Sequence, residues 1–269
     1  MSQAPSDTHA NRIAKMRAVT FSRQYGSGGG EIAARLAQRL GWRLVDHEIV
    51  AHVAAALGVP EAEAEEYDER GESIFARMLA GMRSYEPAIP VPGAAGLETD
   101  EQRYRQALRE TVEAACQQGH TVIVGRGSQA LLADRRDVLH VRIVAPLEGR
   151  ITYVMRREGL NRAQAQARIQ MKDRDRQRYL AAAHHMNPDD TQRYDVVVNT
   201  GVLDLDAAVD LIEMALERKA ERLAVPAEAL GPGAGATPYP GRPADLRPPE
   251  ESAPEPGEQP SGKSASAEE

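Results

Sequence analysis

The chain has 269 residues, a formal net charge of −7, 42% hydrophobic and only 4% aromatic residues, and one cysteine, Cys116. The negative balance excludes a general electrostatic attraction to nucleic acid, and the single thiol excludes an intrachain disulfide and a cysteine-built metal site. No apolar run approaches the ~20 residues that span a bilayer, so no membrane partner is expected.

Residues 1–16 are polar and carry no secretory pattern. With one unpaired cysteine, this fits a cytoplasmic protein in a reducing compartment. The lead 1–16 and the Pro/Gly/Ala-rich tail 225–269 cannot bury enough apolar area to offset ordering entropy, so both are expected to be disordered. Residues 17–224 are long enough for one domain.

Within that domain, strand-like and helix-like patterns alternate. Residues 18–22 read as a short strand, followed by a glycine loop. Ile32, Leu36 and Leu40 share one face of a helix over 31–40, which Gly41 ends. Residues 42–45 are a second short strand. Helices are expected over 47–57 and from 60 to 67, and the acidic run 61–72 reads as a solvated face. Pro87, Pro90 and Pro92 mark a loop over 85–96. A helix over 101–118 ends at Gly119, and Cys116 in it reads as a small buried apolar residue. Residues 121–124 and 139–144 are continuous apolar runs, as in strands buried on both faces. Helices follow over 146–157 and over 161–179, the second capped by Asn161. A strand over 195–199 and a helix over 205–223 close the domain. This alternation predicts an α/β fold with a central, mostly parallel sheet, whose ligands sit at the carboxyl ends of the strands.

Three clusters lie at such ends. After the first strand, Arg23 leads into Gly26, Ser27, Gly28, Gly29 and Gly30, and then a helix begins. Glycines let successive N–H groups converge, and a helix N-terminus adds a positive potential, so this loop suits a polyphosphate. It departs from G-x-x-x-x-G-K-[ST] in having no Lys and no following Ser or Thr. Arg23 is the candidate replacement cation and Ser27 a candidate hydroxyl. After the second strand stands Asp46, a natural N-cap for the helix expected from 47. After the 121–124 strand stands Arg126, whose guanidinium can grip two phosphate oxygens. Arg174 and Arg178, four residues apart, share a helical face with Arg168 nearby, and either cap the phosphates or form a solvated charged face. Arg156 and Arg157 end the preceding helix, where they serve the same cleft or complement its dipole. His184 and His185 read as surface.

Several of these segments resemble the cytidylate kinase-like family of the nucleoside monophosphate kinases. They are Thr20-Phe21-Ser22-Arg23-Gln24-Tyr25-Gly26-Ser27-Gly28-Gly29, Leu44-Val45-Asp46-His47-Glu48-Ile49, Val122-Ile123-Val124-Gly125-Arg126-Gly127-Ser128, Lys172-Asp173-Arg174-Asp175-Arg176-Gln177-Arg178, and Asp195-Val196-Val197-Val198-Asn199-Thr200. The resemblance implies a P-loop NTPase-like three-layer fold with a helical lid, ATP and Mg²⁺ as cofactors, and a nucleotide and a small-molecule acceptor as partners. It implies donor phosphates over residues 26–30, an acceptor such as CMP beside Asp46 and Arg126, and Arg174 and Arg178 as lid cations at the transferring group. Two departures stand out: Gly30 occupies a position the family commonly fills with a basic residue, and Gly127 follows Arg126 where better-characterised cytidylate kinases carry Asp. They keep two alternatives open, a nucleotide-binding sensor without turnover and a kinase for a non-nucleotide acceptor. The sequence does not set the oligomeric state.

Overall fold

Ala18–Arg23 forms β1, and all of it but Arg23 is buried. It is the middle strand of a five-stranded parallel sheet. The computed structural model describes residues 13–46 and 100–231. The expected helices over 47–57 and 60–67, the acidic run and the proline loop fall outside the described residues, as do most of the lead and tail. By its contacts the chain divides into Met1–Ala224 and Val225–Glu269. The described part of the second unit is one 3-10 turn, Ala227–Ala229.

In the first unit, β1 is followed by α1 (Gly29–Leu40), β2 (Arg43–Val45), α2 (Asp100–Gln118), β3 (Thr121–Val124), the short α3 (Ser128–Leu131) and β4 (Val138–Val144). Then come α4 (Leu147–Glu158), α5 (Arg162–His184), β5 (Val196–Asn199) and α6 (Leu205–Arg222). The strand order is β2-β3-β1-β4-β5. All four pairings are parallel, with Ala18 opposite both Thr121 and Val138. Parallel neighbours need crossovers, and helices supply them.

The two-residue period of the strands sorts side chains to two faces. Val19, Phe21, Val122, Val124 and Val141 pack with Ile32 and Leu36 of α1 and Ile212 and Leu216 of α6. Ala18, Ile123 and Val138 turn the other way, onto Leu108, Val112 and Cys116 of α2. Three layers result, and Cys116 is a buried core residue. Burying each large side chain contributes roughly 1.5–3 kcal/mol, so the strands read as near-continuous apolar runs because both faces are covered.

α4 and α5 pack on each other through Ile151, Val154, Ala165 and Ile169, with Tyr25 from the loop after β1 against them. Asn161 and Gln164 form a reciprocal capping box at the start of α5, which satisfies two helix-end donors. The helix runs beyond the expected end at 179. Leu180 and Ala181 to Ala183 favour continuation, and His185, left-handed at φ 50°, ends it.

His140 lies inside β4, where the Thr20 hydroxyl meets its Nδ1 at 2.8 Å and its backbone N–H donates to Asp195 at 2.8 Å. Asp195 pairs in turn with Lys219 at 2.6 Å. Burial, reinforced by the Lys219 charge, pushes the His140 imidazole down to about 4, with Asp195 opposing. The unfolded chain therefore takes up a proton that the folded chain refuses as pH falls from about 6.5 towards 4. The stability held by neutral His140 is complete above pH 6.5 and is lost through that window. Thermal midpoints measured from pH 7 to pH 4.5 should fall less steeply for His140→Gln than for the parent chain. Equal slopes would contradict a buried neutral imidazole.

Candidate active site

β1 delivers the chain into a turn that only glycine can make. Gly26 and Gly28 take left-handed φ of 79° and 76°, a region that costs other residues of order 1–2 kcal/mol. A Cβ on Gly26 would lie 2.9 Å from Val154 Cγ2, and one on Gly28 would lie 2.7 Å from Leu205 Cδ2. Gly28 is the N-cap of α1 and supplies no side-chain cap. The first amide to close the helix is that of Ile32, which donates to the Gly28 carbonyl at 3.0 Å. The amides of Gly29, Gly30 and Glu31 precede it and form no hydrogen bond with the described residues. Three such N–H groups at the positive end of the helix dipole form a concavity whose chemistry suits an anion.

The remaining loop groups are engaged in holding this shape. The buried Ser27 hydroxyl donates to the Gln24 carbonyl at 2.8 Å and lies 3.4 Å from that of Ile143. The Ser27 carbonyl accepts from Thr200 Oγ1 at 2.9 Å. Ser27 thus braces the loop rather than offering its proton outward. Gly30 is exposed, and nothing lies within 4 Å of where its Cβ would be.

Beside the loop, across the carboxyl ends of β1, β3 and β4, opens a cavity of about 540 Å³. Six cationic side chains line it: Arg23, Arg126, Arg142, Arg168, Lys172 and Arg176. Asp46, Asp173, Asp175 and Asp189 line it as well. Two of these carboxylates are tied to arginines. Asp173 accepts from the Tyr25 amide at 2.7 Å and pairs with Arg150, and Asp189 pairs with Arg142 at 2.8 Å. Asp46 lies 3.8 Å from Arg23. The helix it was expected to cap lies outside the described residues.

Arg126 sits on a turn in which three successive residues are left-handed: Gly125, Arg126 and Gly127, at φ 79°, 61° and 64°. A non-glycine residue held there is strained, and such strain persists where the surroundings over-determine it. A Cβ on Gly125 would lie 2.3 Å from Arg23 Nη1, and one on Gly127 would lie 2.2 Å from His184 Nε2. The turn is therefore sandwiched between Arg23 and His184. His184, expected at the surface, is half-buried. Its ring meets Tyr179 edge-on at 5.6 Å, and burial, with Arg105 and Arg109 nearby, pushes its pKa down to about 4.

Two expected assignments change. Arg23 does not reach over the glycine loop. Its stem packs on Gly29, but its guanidinium packs against Gly125 and lines the cavity with Asp46 and Arg126. Its pKa is lowered chiefly by burial and further by Arg126, against the raising effect of Asp46. Arg174 and Arg178 are exposed and do not line the cavity. The helical phase explains why: Arg168, Lys172 and Arg176 recur every four residues along the face turned to the cavity, and Arg174 lies about 200° round from Arg176. Arg176 covers the Tyr25 ring at 5.4 Å and donates to the Arg23 carbonyl at 3.3 Å. Burial first, then the charge of Arg23, push its pKa down to about 9. It stays protonated near neutral pH, so the cavity gathers buried like charges that an anion would relieve.

Arg142 could have been suspected from sequence, because a charged residue inside a buried strand requires partners. It has them: the Ser22 hydroxyl at 2.8 Å, Asp189, and the Tyr194 ring at 5.8 Å. The four-residue spacing of Arg168, Lys172 and Arg176 was equally visible. The roles of Tyr179, His184 and Asp189 had no local signal.

A glycine loop leading from β1 into α1, in a parallel sheet of order 2-3-1-4-5, places the chain among the P-loop-type nucleotide-binding folds that include kinases. The model of the cytidylate kinase-like family matches residues 18–202, and the chain belongs to that family. A uronate isomerase of Corynebacterium glutamicum is 32% identical over 126 residues, 47% of this chain and 24% of that protein. A cytidylate kinase of Methanopyrus kandleri is 26% identical over 116 residues, 40% of this chain and 60% of that one. The chain therefore spans only about a quarter and three fifths of these two curated relatives. An uncharacterized protein from Eubacterium ventriosum shares the fold at a TM-score of 0.55 and 20% identity, over 75% of this chain and 99% of its own.

The helical phase of α5 gives a direct test. Arg176→Ala should weaken binding of inorganic phosphate about tenfold in calorimetry, the scale of one charge-assisted hydrogen bond. Arg174→Ala should leave it within about twofold, as for an exposed charge. Equal effects would show that the exposed face of α5 also serves the site.

Proposed function

We propose that this chain transfers the γ-phosphoryl group of ATP to a small anionic acceptor, with a nucleoside monophosphate such as CMP as the favoured substrate. One observation carries the reading: three amides at the start of α1 that bond to no described residue lie beside a cavity lined by six cations. The first suits the donor phosphates and the second an acceptor that brings its own negative charge.

ATP would supply the phosphoryl group, and Mg²⁺ would come bound to its phosphates. Among the described residues no group of three His, Cys, Asp or Glu side chains is arranged to hold a metal, and the Ser27 hydroxyl is engaged within the loop. The amides of Gly29, Gly30 and Glu31 would hold donor oxygens. Arg126, on its strained turn, would orient the acceptor with Arg23 and Arg176. In the transfer, the bond between the γ-phosphorus and its bridging oxygen breaks and one to an acceptor oxygen forms. ADP leaves with the bond's electrons. A phosphate acceptor is already ionised, so no side chain need remove a proton, and positioned cations stabilise the spreading charge.

A second reading keeps the chemistry and changes the acceptor. Gly127 offers no carboxylate, and the His184 ring occupies the space beside it. This favours an acceptor not recognised through a base at that turn, such as a phosphorylated or carboxylated polyol.

An acceptor panel with ATP and Mg²⁺, followed by ADP release, tests both readings. Turnover with CMP or another nucleoside monophosphate supports the first, and turnover with polyol acids alone supports the second. Arg126→Ala should raise the acceptor KM by about 10- to 100-fold while moving the ATP KM by no more than about twofold. ATP binding without turnover on any acceptor would point to a nucleotide sensor, and equal loss of both affinities would contradict the role of Arg126.

A further inference from the structure

We infer that Arg157, in the last turn of α4, supplies the donor phosphates with the positive charge that the glycine loop lacks. This rests on the ATP site proposed above and adds a residue to it.

The loop has an opening on its outer side. Gly30, second residue of α1, is exposed, with nothing within 4 Å of a would-be Cβ. The next residue, Glu31, gathers the groups around that opening. Its Oε1 accepts from Arg35 at 2.5 Å, and its Oε2 accepts from the Tyr153 hydroxyl at 3.2 Å and lies 3.5 Å from Arg157 Nη1. A carboxylate one residue past the gap thus draws a guanidinium from another helix toward the first turn of α1.

The other cations near the loop are committed elsewhere, Arg150 to Asp173 and the Tyr25 carbonyl. Arg35 is fixed between Glu31 and Asp206 at 2.5 and 2.7 Å. Arg23 and Arg176 turn into the acceptor-side cavity. Arg157 differs in two respects. It is 62% exposed, and its ion pair is long. Its other contacts are with Tyr153, a hydrogen bond of 3.1 Å and a position 5.8 Å from the ring centroid. An exposed pair of this kind contributes little, so exchanging Glu31 for a polyphosphate oxygen costs little. Tyr153 remains as a platform that keeps the guanidinium at the loop, and the planar fork can take two phosphate oxygens. Glu31 parks the cation there until the nucleotide arrives. Arg156 is a matched control: it is exposed, adjacent and equally charged, but about 100° round the helix from Arg157.

The test is calorimetric titration of the full chain with Mg·ATP and Mg·ADP. Arg157→Ala should weaken ATP binding about tenfold and ADP binding less, which reduces the preference for the triphosphate. Arg156→Ala should change either by no more than about twofold. Adding Gly30→Arg to Arg157→Ala should restore the preference, since the space is open. Thermal melts check that the exposed substitutions leave the fold intact. If Arg157→Ala and Arg156→Ala bind ATP equally well, the inference falls while the ATP site stands. If the parent chain does not bind ATP, the proposed function fails and the role of Arg157 fails with it.

Discussion

The start of α1 sets the geometry of everything else at the site. Three backbone amides there have no helical partner, and no side chain caps them. They lie at a positive helix end, where unengaged N–H groups are stabilised by an anion. The loop has little freedom to spoil this arrangement. Val154 and Leu205 press on Gly26 and Gly28 from α4 and α6, and Arg23 Cβ would lie 2.7 Å from a Cβ on Gly29. The concavity is therefore enforced by packing from both sides, with Ser27 and Thr200 bracing it by hydrogen bonds.

Beyond the loop, charge balance governs the second half of the site. Six cations and four carboxylates share one cavity, and two of the carboxylates are committed to Arg142 and Arg150. Burial is the main cause that lowers the pKa of both Arg23 and Arg176, with Arg126 adding to the effect on Arg23 and Arg23 adding to that on Arg176. Such a cluster is costly without an anion and stabilised with one. The strained Gly125-Arg126-Gly127 turn contributes one of these cations from the end of β3, and His184 and Arg23 hold it from opposite sides. The glycine loop and the cationic cavity thus meet along the carboxyl edge of a single sheet, where parallel α/β folds place their ligands.

The strands and their helices were legible in the sequence because burial on both faces leaves continuous apolar runs, as in Thr121–Val124 and Val138–Val144. The glycine loop and Arg126 were legible because they stand directly after such runs. Side-chain direction on α5 was harder to read. Its apolar residues are few and form no continuous stripe, so the sequence alone did not say which arginines faced inward. Contact with Tyr25, 151 residues from Arg176 along the chain, decided it. The same applies to His184, whose half-buried position depends on the turn after β3 and on Tyr179. Long-range packing, rather than local pattern, turned Arg176 rather than Arg174 to the cavity and half-buried His184.

Amide chemical shifts read the enforced concavity without reference to turnover or acceptor. In ¹⁵N–¹H spectra of the full chain titrated with Mg·ATP, the Gly29, Gly30 and Glu31 amides should move downfield together and saturate at one common affinity. Saturable ATP binding that leaves those three signals in place and shifts others instead would contradict a polyphosphate held at the start of α1.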